Sequence, residues 1–193
     1  MHTVTDLVTN RLPKAYNVPT EDIQVLTPMK KCEVGTVNLN IELQKILNPY
    51  GMEMKYGDTI FRVGDRVIQT VNNYDKDVFN GDSGIILDIN KEEKYVMIRF
   101  DDKDIQYTYP EMDEIMLSYA MTIHKSQGSE YPIVVIPITS ANKHMMQRNL
   151  IYTAITRAKK ICVIVGGKYL IDKAIANAEL YKRKTKLKER LIN

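Results

Sequence analysis

The stretch AMTIHKSQGSEYPIVVIPI, residues 120–138, decides the fold. Its second half, PIVVIPI, is an unbroken apolar run. A strand covered on both faces needs such a run, whereas a strand with one wet face alternates apolar and polar residues. A second run of the same kind, ICVIVGG, occupies residues 161–167. Between the two, Arg148 to Lys159 reads as a helix with Leu150, Ile151, Ala154 and Ile155 on one side. A strand, a helix and another buried strand imply a parallel sheet with helices packed on it.

The segments before it follow the same grammar. LSYAM (117–121) is a candidate strand, and TIHKSQG (122–128) is a loop leading into a helical turn. Near the start, a short helix and a loop precede DIQVL (22–26), an apolar strand bounded by Pro28. VNLNIELQKILNPYG (37–51) then places Leu39, Leu43, Ile46 and Leu47 at helical spacing, and Asn48-Pro49 stops the helix. From Phe61 to Met116 the pattern changes. RVGDRVIQT, GDSGIILDIN, KYVMIRF and DIQYTYP are four short β-rich runs with Gly, Asp and Asn between most of them. Asn90-Lys91-Glu92-Glu93 reads as a hairpin connection, the turn chemistry of Asn and its neighbours being suited to it. The expected architecture is one α/β domain, residues 1–60 and 117–193, interrupted at 61–116 by a small SH3-like β-barrel.

Composition is that of a globular chain. Of 193 residues, 44% are hydrophobic and 26% charged, which argues against disorder. Cys32 and Cys162 have no metal-ligand or CxxC spacing and read as reduced, buried thiols. The first residues lack the cationic and apolar regions of a secretory signal, and the longest apolar runs are too short to cross a bilayer. A cytoplasmic location is the expectation. The net charge of +3 does not by itself point to nucleic acid. The segment Lys168 to Arg190, which ends in KRKTKLKER, is more basic; it reads either as a phosphate contact or as a solvated helix face.

Two stretches carry a family resemblance: AMTIHKSQGSEYPIVVIPI (120–138) and NLIYTAITRAKKICVIVG (149–166). They resemble motifs V and VI of superfamily 1 (SF1B) helicases, in the right order. VLTPMKKCEVGTVNLNIELQKILNP (25–49) resembles the motif IV region of RecD-like members, which insert an SH3-like 2B domain between motifs IV and V. The resemblance implies a RecA-like second motor domain, of the P-loop-NTPase type, with a parallel sheet flanked by helices. It also implies a parent ATP-dependent DNA helicase that couples ATP hydrolysis to 5′-to-3′ translocation on single-stranded DNA. The chain would supply its C-terminal part, domain 2A with the 2B insertion.

By the same resemblance, Arg157 is the catalytic arginine that reaches the γ-phosphate from the second lobe. Its planar fork suits phosphate oxygens, and catalysis of phosphoryl transfer is mainly positioning and charge neutralisation. Capping of its own helix is the plainer alternative. Gln127, Gly128 and Glu130 would face the nucleotide, with Glu130 accepting from the ribose. Thr122, His124 and Lys125 would meet phosphates of single-stranded DNA. Lys31, or Lys30 beside it, would place a motif IV cation at the nucleotide. Tyr152 suits core or interdomain packing better than base stacking.

A phosphate-cradling loop requires G-x-x-x-x-G-K-[ST]. The nearest approach, Gly166-Gly167-Lys168-Tyr169, has Cys162 at the first glycine position and Tyr169 in place of the hydroxyl residue. Asp113-Glu114 does not follow an apolar strand and is no Mg²⁺ site. ATP and Mg²⁺ are therefore expected as cofactors of the full-length parent, held by a missing N-terminal motor domain, and the isolated chain is expected to be inactive. Single-stranded DNA, that motor domain and a nuclease/helicase complex are the implied partners, with no membrane. The rival reading is a non-enzymatic nucleic-acid-binding or SH3-like protein-interaction module.

Overall fold

A computed structural model describes residues 1–142, 145 and 147–176. Four strands form a parallel sheet: β1 (Ile23–Thr27), β9 (Ala120–Thr122), β10 (Tyr131–Pro137) and β11 (Ala158–Val165). Their order is β11-β10-β1-β9, and all three pairings are parallel. The apolar runs 132–138 and 161–165 thus lie side by side in the sheet, but the second, in the edge strand β11, is only half-buried and not the fully covered strand expected.

Side chains alternate across a strand, so each strand feeds two cores. Ile23, Val25, Ile133 and Val135 pack on one face with Leu39 and Leu43 of α3 (Thr36–Leu47). The same face receives Val4, Val8 and Leu12 from the N-terminal helical segment, which runs as α1 (His2–Asp6), a π turn (Leu7–Arg11) and α2 (Leu12–Tyr16). Leu26, Val134 and Ile136 face the other way, against Leu150, Ile151 and Ala154 of α4 (Arg148–Ile155) and Ala174 of α5 (Lys168–Ala176).

The antiparallel part is built from β4 (Arg66–Gln69), β5 (Ser83–Asn90), β6 (Tyr95–Phe100), β7 (Lys103–Thr108) and β8 (Ile115–Leu117). The five run in the order β7-β6-β5-β4-β8. Before them stands a hairpin of β2 (Glu53–Tyr56) and β3 (Thr59–Arg62). Its turn carries Gly57 at φ +57°, a left-handed value that glycine adopts without strain.

Several details differ from the sequence reading. LSYAM is split: Leu117 ends β8, and Ala120 starts β9. The polar backbone of this switch is satisfied by two buried amides. Gln24 donates to the carbonyls of Ser118 and Tyr119, and Asn40 donates to those of Leu117 and Ala120 and accepts from the Ala120 N–H at 2.8 Å. The helix expected over 148–159 stops at Ile155, because residues from Ala158 onward pair with β10. Ile46 faces solvent instead of the core, and both cysteines are only partly buried. The basic run Lys182–Arg190 lies outside the described residues.

Candidate functional site

Parallel pairing puts the candidate residues at two opposite edges of the sheet. Thr122 ends β9 level with Thr27 at the end of β1. The chain then returns over residues 123–130 to the starting end of β10, where Tyr131 pairs with Ala158 at the start of β11. This eight-residue segment therefore joins the strand-end edge to the strand-start edge.

At the strand-end edge, the Lys125 N–H donates to the Thr122 carbonyl at 3.0 Å and to its hydroxyl at 3.3 Å, and the Ser126 N–H donates to the same carbonyl. The resulting turn exposes His124 and holds Lys125 half-buried, with Nζ 3.7 Å from the Met116 sulfur. Burial, and secondarily the nearby Lys30 ammonium, pull the Lys125 pKa below the usual lysine range. Lys30 belongs to the loop that follows β1. That loop folds back so tightly that a Cβ on Gly35 would lie 2.5 Å from the Lys30 carbonyl oxygen. The carbonyls of Met29 and Lys30 accept from the Thr36 and Val37 N–H groups, so loop and helix start are held together. Exposed Lys31 stands beside Lys30. Two like charges held near each other and a half-desolvated amine suit an anionic chain such as a phosphate backbone.

At the strand-start edge the central group is Arg157, in the turn between α4 and β11. Its Nε donates to the Thr153 carbonyl at 3.3 Å, Nη1 to the Ser129 carbonyl at 3.1 Å, and Nη2 to the Thr156 hydroxyl at 3.2 Å. The Arg157 carbonyl accepts from the Tyr131 N–H at 2.8 Å. Arg157 therefore both caps its own helix and fastens the end of the 123–130 segment. A guanidinium has five N–H donors, and these three contacts leave one on each terminal nitrogen. No carboxylate among the described residues pairs with it. Two N–H groups, one on each terminal nitrogen, thus remain for an oxyanion such as a phosphoryl group.

Gln127, Gly128 and Glu130 lie on the same segment and are exposed. Gly128 has φ +90° with no atom near its missing Cβ, so it is conformation, not crowding, that favours glycine. Glu130 faces Lys159 at 3.8 Å, and both side chains are more than half exposed. Tyr131 is desolvated, which raises its phenol pKa, while the Ser129 hydroxyl and the cations Arg66 and Arg157 oppose the shift.

The structure thus brings Arg157 together with the segment that carries Gln127, Gly128 and Glu130. It groups Thr122, His124 and Lys125 with Lys30 and Lys31. It does not bring Lys31 to Arg157: the β1 loop leaves from the other edge. Tyr152 is 70% exposed, which removes a role in the core of this chain. Ser129 was not apparent from sequence, because it acts through a main-chain carbonyl that any residue supplies. Glu114 accepts from Gln69 and Asn73 and so serves the antiparallel sheet. Among the described residues no cluster of three or more His, Cys, Asp or Glu side chains suits a metal ion. No helix among them is long and apolar enough to cross a membrane.

Comparison with known proteins matches two stretches of the chain. Residues 39–100 match the ATP-dependent RecD-like DNA helicase SH3 domain, and residues 117–165 match the UvrD-like helicase C-terminal domain. An ATP-dependent RecD2 DNA helicase from Deinococcus radiodurans is 39% identical over 137 residues, covering 71% of this chain and 19% of that protein. The RecBCD enzyme subunit RecD from Mycolicibacterium smegmatis is 28% identical over 171 residues, covering 89% of this chain and 29% of that protein. The chain thus spans between a fifth and three tenths of the length of these relatives. Among solved structures, a Pif1 helicase from Bacteroides in complex with ADP-AlF3 and ssDNA superposes with a TM-score of 0.52. It is 17% identical and covers 91% of this chain and 50% of that one. Pif1 helicase from Candida albicans gives 0.53 at 14% identity, covering 89% and 49%. These two likenesses concern the fold.

Proposed function

We propose that this chain, which is the C-terminal part of a RecD-like superfamily 1 DNA helicase, closes the nucleotide site of an ATP-driven motor that moves 5′-to-3′ on single-stranded DNA. Residues 1–60 and 117–193 are its second motor domain, and 61–116 its SH3-like insertion. Arg157 is the finger that meets the γ-phosphate, with Gln127, Gly128 and Glu130 on the nucleotide side. Thr122, His124 and Lys125 contact strand phosphates. Lys30 and Lys31 are better suited to that strand edge than to the nucleotide, since they share it with Lys125.

The observation that carries this reading is the Arg157 guanidinium. It is fixed by three neutral oxygens and left with a free N–H on each terminal nitrogen. An arginine needed only as a helix cap has no use for a held, unpaired fork. The phosphate cradle and the Mg²⁺ ligands come from another motor domain, so the chain alone binds ATP weakly and does not turn it over. In the cell the parent acts in the cytoplasm, alone or within a nuclease complex. A steady-state phosphate-release assay tests both statements. The isolated chain should show no turnover, and the full-length protein should show DNA-stimulated turnover that Arg157→Ala abolishes. Turnover that co-purifies with the isolated chain contradicts the proposal.

A further inference from the structure

The antiparallel part carries an open groove of about 650 Å³ that neither edge of the parallel sheet uses. Its floor is apolar: buried Met54 of β2, with Ile60 of β3 and Tyr109 only partly covered. Tyr109 is held rigidly. Its ring meets that of Tyr56 edge-on at 4.9 Å, and its hydroxyl donates to the Lys55 carbonyl. The rim holds Lys55, Lys91 and Lys94, none of which has a carboxylate partner among the described residues. The one acid in the lining, Glu53, is engaged by Arg62 at 3.2 Å. Three ammonium groups with no carboxylate in ion-pair contact among the described residues therefore surround an apolar floor, with Glu92 and Glu93 on the turn between two of them.

The turn that presents two of these lysines is tightly built. Asn90 Oδ1 accepts from the Glu92 and Glu93 N–H groups, and Lys94 follows with φ +55°. A lysine in the left-handed region is strained relative to glycine, as Asp101 is in the next hairpin turn.

We propose that this groove is a docking site for an acidic peptide segment of a partner protein, with one large apolar side chain on the Met54–Ile60–Tyr109 floor and carboxylates on the three lysines. Charge complementarity selects the acidic partner, and the aliphatic floor selects a side chain inserted between the lysines. The translocated strand is disfavoured by position. The helix α3 leaves the strand-end edge at Gly35 and carries the chain about 18 Å back, at 1.5 Å per residue, before the hairpin begins. The groove thus lies toward the edge opposite Thr122 and Lys125.

The test is a fluorescence-anisotropy titration of the full-length protein with labelled short peptides rich in Asp and Glu, each with a single Phe, Leu or Met. Versions with Gln and Asn for the acids, and with Ala for the apolar residue, serve as controls. Binding is expected to the acidic apolar peptides alone and to weaken at least about tenfold in a Lys91→Glu/Lys94→Glu double variant. Lys94→Gly separates folding from binding: it should melt no lower than the parent protein, because the strain is relieved, yet bind the peptide more weakly. The proposal is overturned if no acidic peptide binds, if Lys94→Gly binds normally, or if oligo-dT displaces the peptide, which would make the groove a nucleic-acid site. DNA-stimulated ATP hydrolysis should be unchanged in these variants. The outcome is therefore separate from the fate of the motor reading.

Discussion

The Tyr119 hydroxyl donates to Asp65 Oδ1 at 2.9 Å, between residues 54 positions apart in the chain. Asp65 stands just before β4, and Tyr119 stands just after β8. The bond therefore clasps the points where the chain enters and leaves the five-stranded sheet, beside the paired strands β4 and β8. The same carboxylate accepts from Asn48 Nδ2 at 2.7 Å, Gln44 Nε2 at 2.6 Å and the Arg62 N–H at 2.6 Å. A fully buried acid with four donors and no cation ties α3, the hairpin and the sheet to one point.

Loss of this point should be costly. Tyr119→Phe removes one hydrogen bond and should cost about 1–2 kcal/mol, whereas Asp65→Ala strands four donors and should cost about 3 kcal/mol or more. Chemical denaturation of both variants measures this. A loss below that of Tyr119→Phe in the Asp65 variant would show that water replaces the carboxylate.

Asp65 also makes stability depend on pH. Burial pushes its carboxyl above the usual range, against the pull of its four donors. A carboxyl raised in the folded state contributes stability that is complete below its unfolded pKa, roughly 4, and is lost as pH rises through the folded value. The stability difference between the parent chain and Asp65→Asn should therefore shrink as pH increases across that window. A difference that grows with pH would reverse the assignment.

Arg157→Ala in the full-length protein should lower kcat roughly 10³–10⁵-fold, the usual effect of removing an arginine finger. ATP binding should weaken far less, and Arg157→Lys should rescue little, since a point charge lacks the fork. Arg157 also caps α4, so some stability will be lost. The discriminating measurement is kcat per folded molecule, obtained beside a melting curve. Retention of more than about a tenth of kcat would leave only the capping role.

At the other edge, Lys125→Ala should reduce the slope of log affinity for oligo-dT against log salt by roughly 0.7, the single-strand value for one phosphate contact. Because the Lys125 pKa lies below the usual lysine range, its proton is lost at lower pH than that of a surface lysine. The parent slope should fall toward the variant's as pH is raised, and the variant's should not. An unchanged slope in Lys125→Ala would remove this residue from the strand contact.

Glu130→Ala should be nearly silent in thermal denaturation. An ion pair this exposed and 3.8 Å long contributes well under about 1 kcal/mol. Its expected effect is a raised KM for ATP in the full-length protein, read from steady-state kinetics.

What the sequence makes legible is what hydrophobic pattern alone dictates. The run 132–138 is a covered strand, 161–165 is a strand but half-buried at the sheet edge, and the β-rich runs after Phe61 alternate as half-buried strands do. The β2–β3 hairpin escapes this reading because Glu53–Tyr56 buries a single residue, Met54. Strand ends in α4 and β11 escape it because pairing with β10, a non-local event, decides them. The sheet edge at which Lys31 stands is hidden for a similar reason. The order of motifs along a chain does not reveal which edge of a sheet each loop leaves from. Arg157 and Lys125 could be named from the family resemblance of their motifs; the Ser129 carbonyl that orients Arg157 could not.

The segment 123–130 has a mechanical consequence. Its first residues follow Thr122 directly, and its last are gripped by Arg157 through the Ser129 carbonyl. Ser126 pins the middle, its hydroxyl donating to the Ile123 carbonyl in the core. The segment is thus held at its middle and at its far end, so a shift of Ser129 on binding at the Arg157 fork would have to be taken up by the turns that present His124 and Lys125. By thermodynamic reciprocity, whatever grips those two side chains alters the affinity at the fork by the same factor.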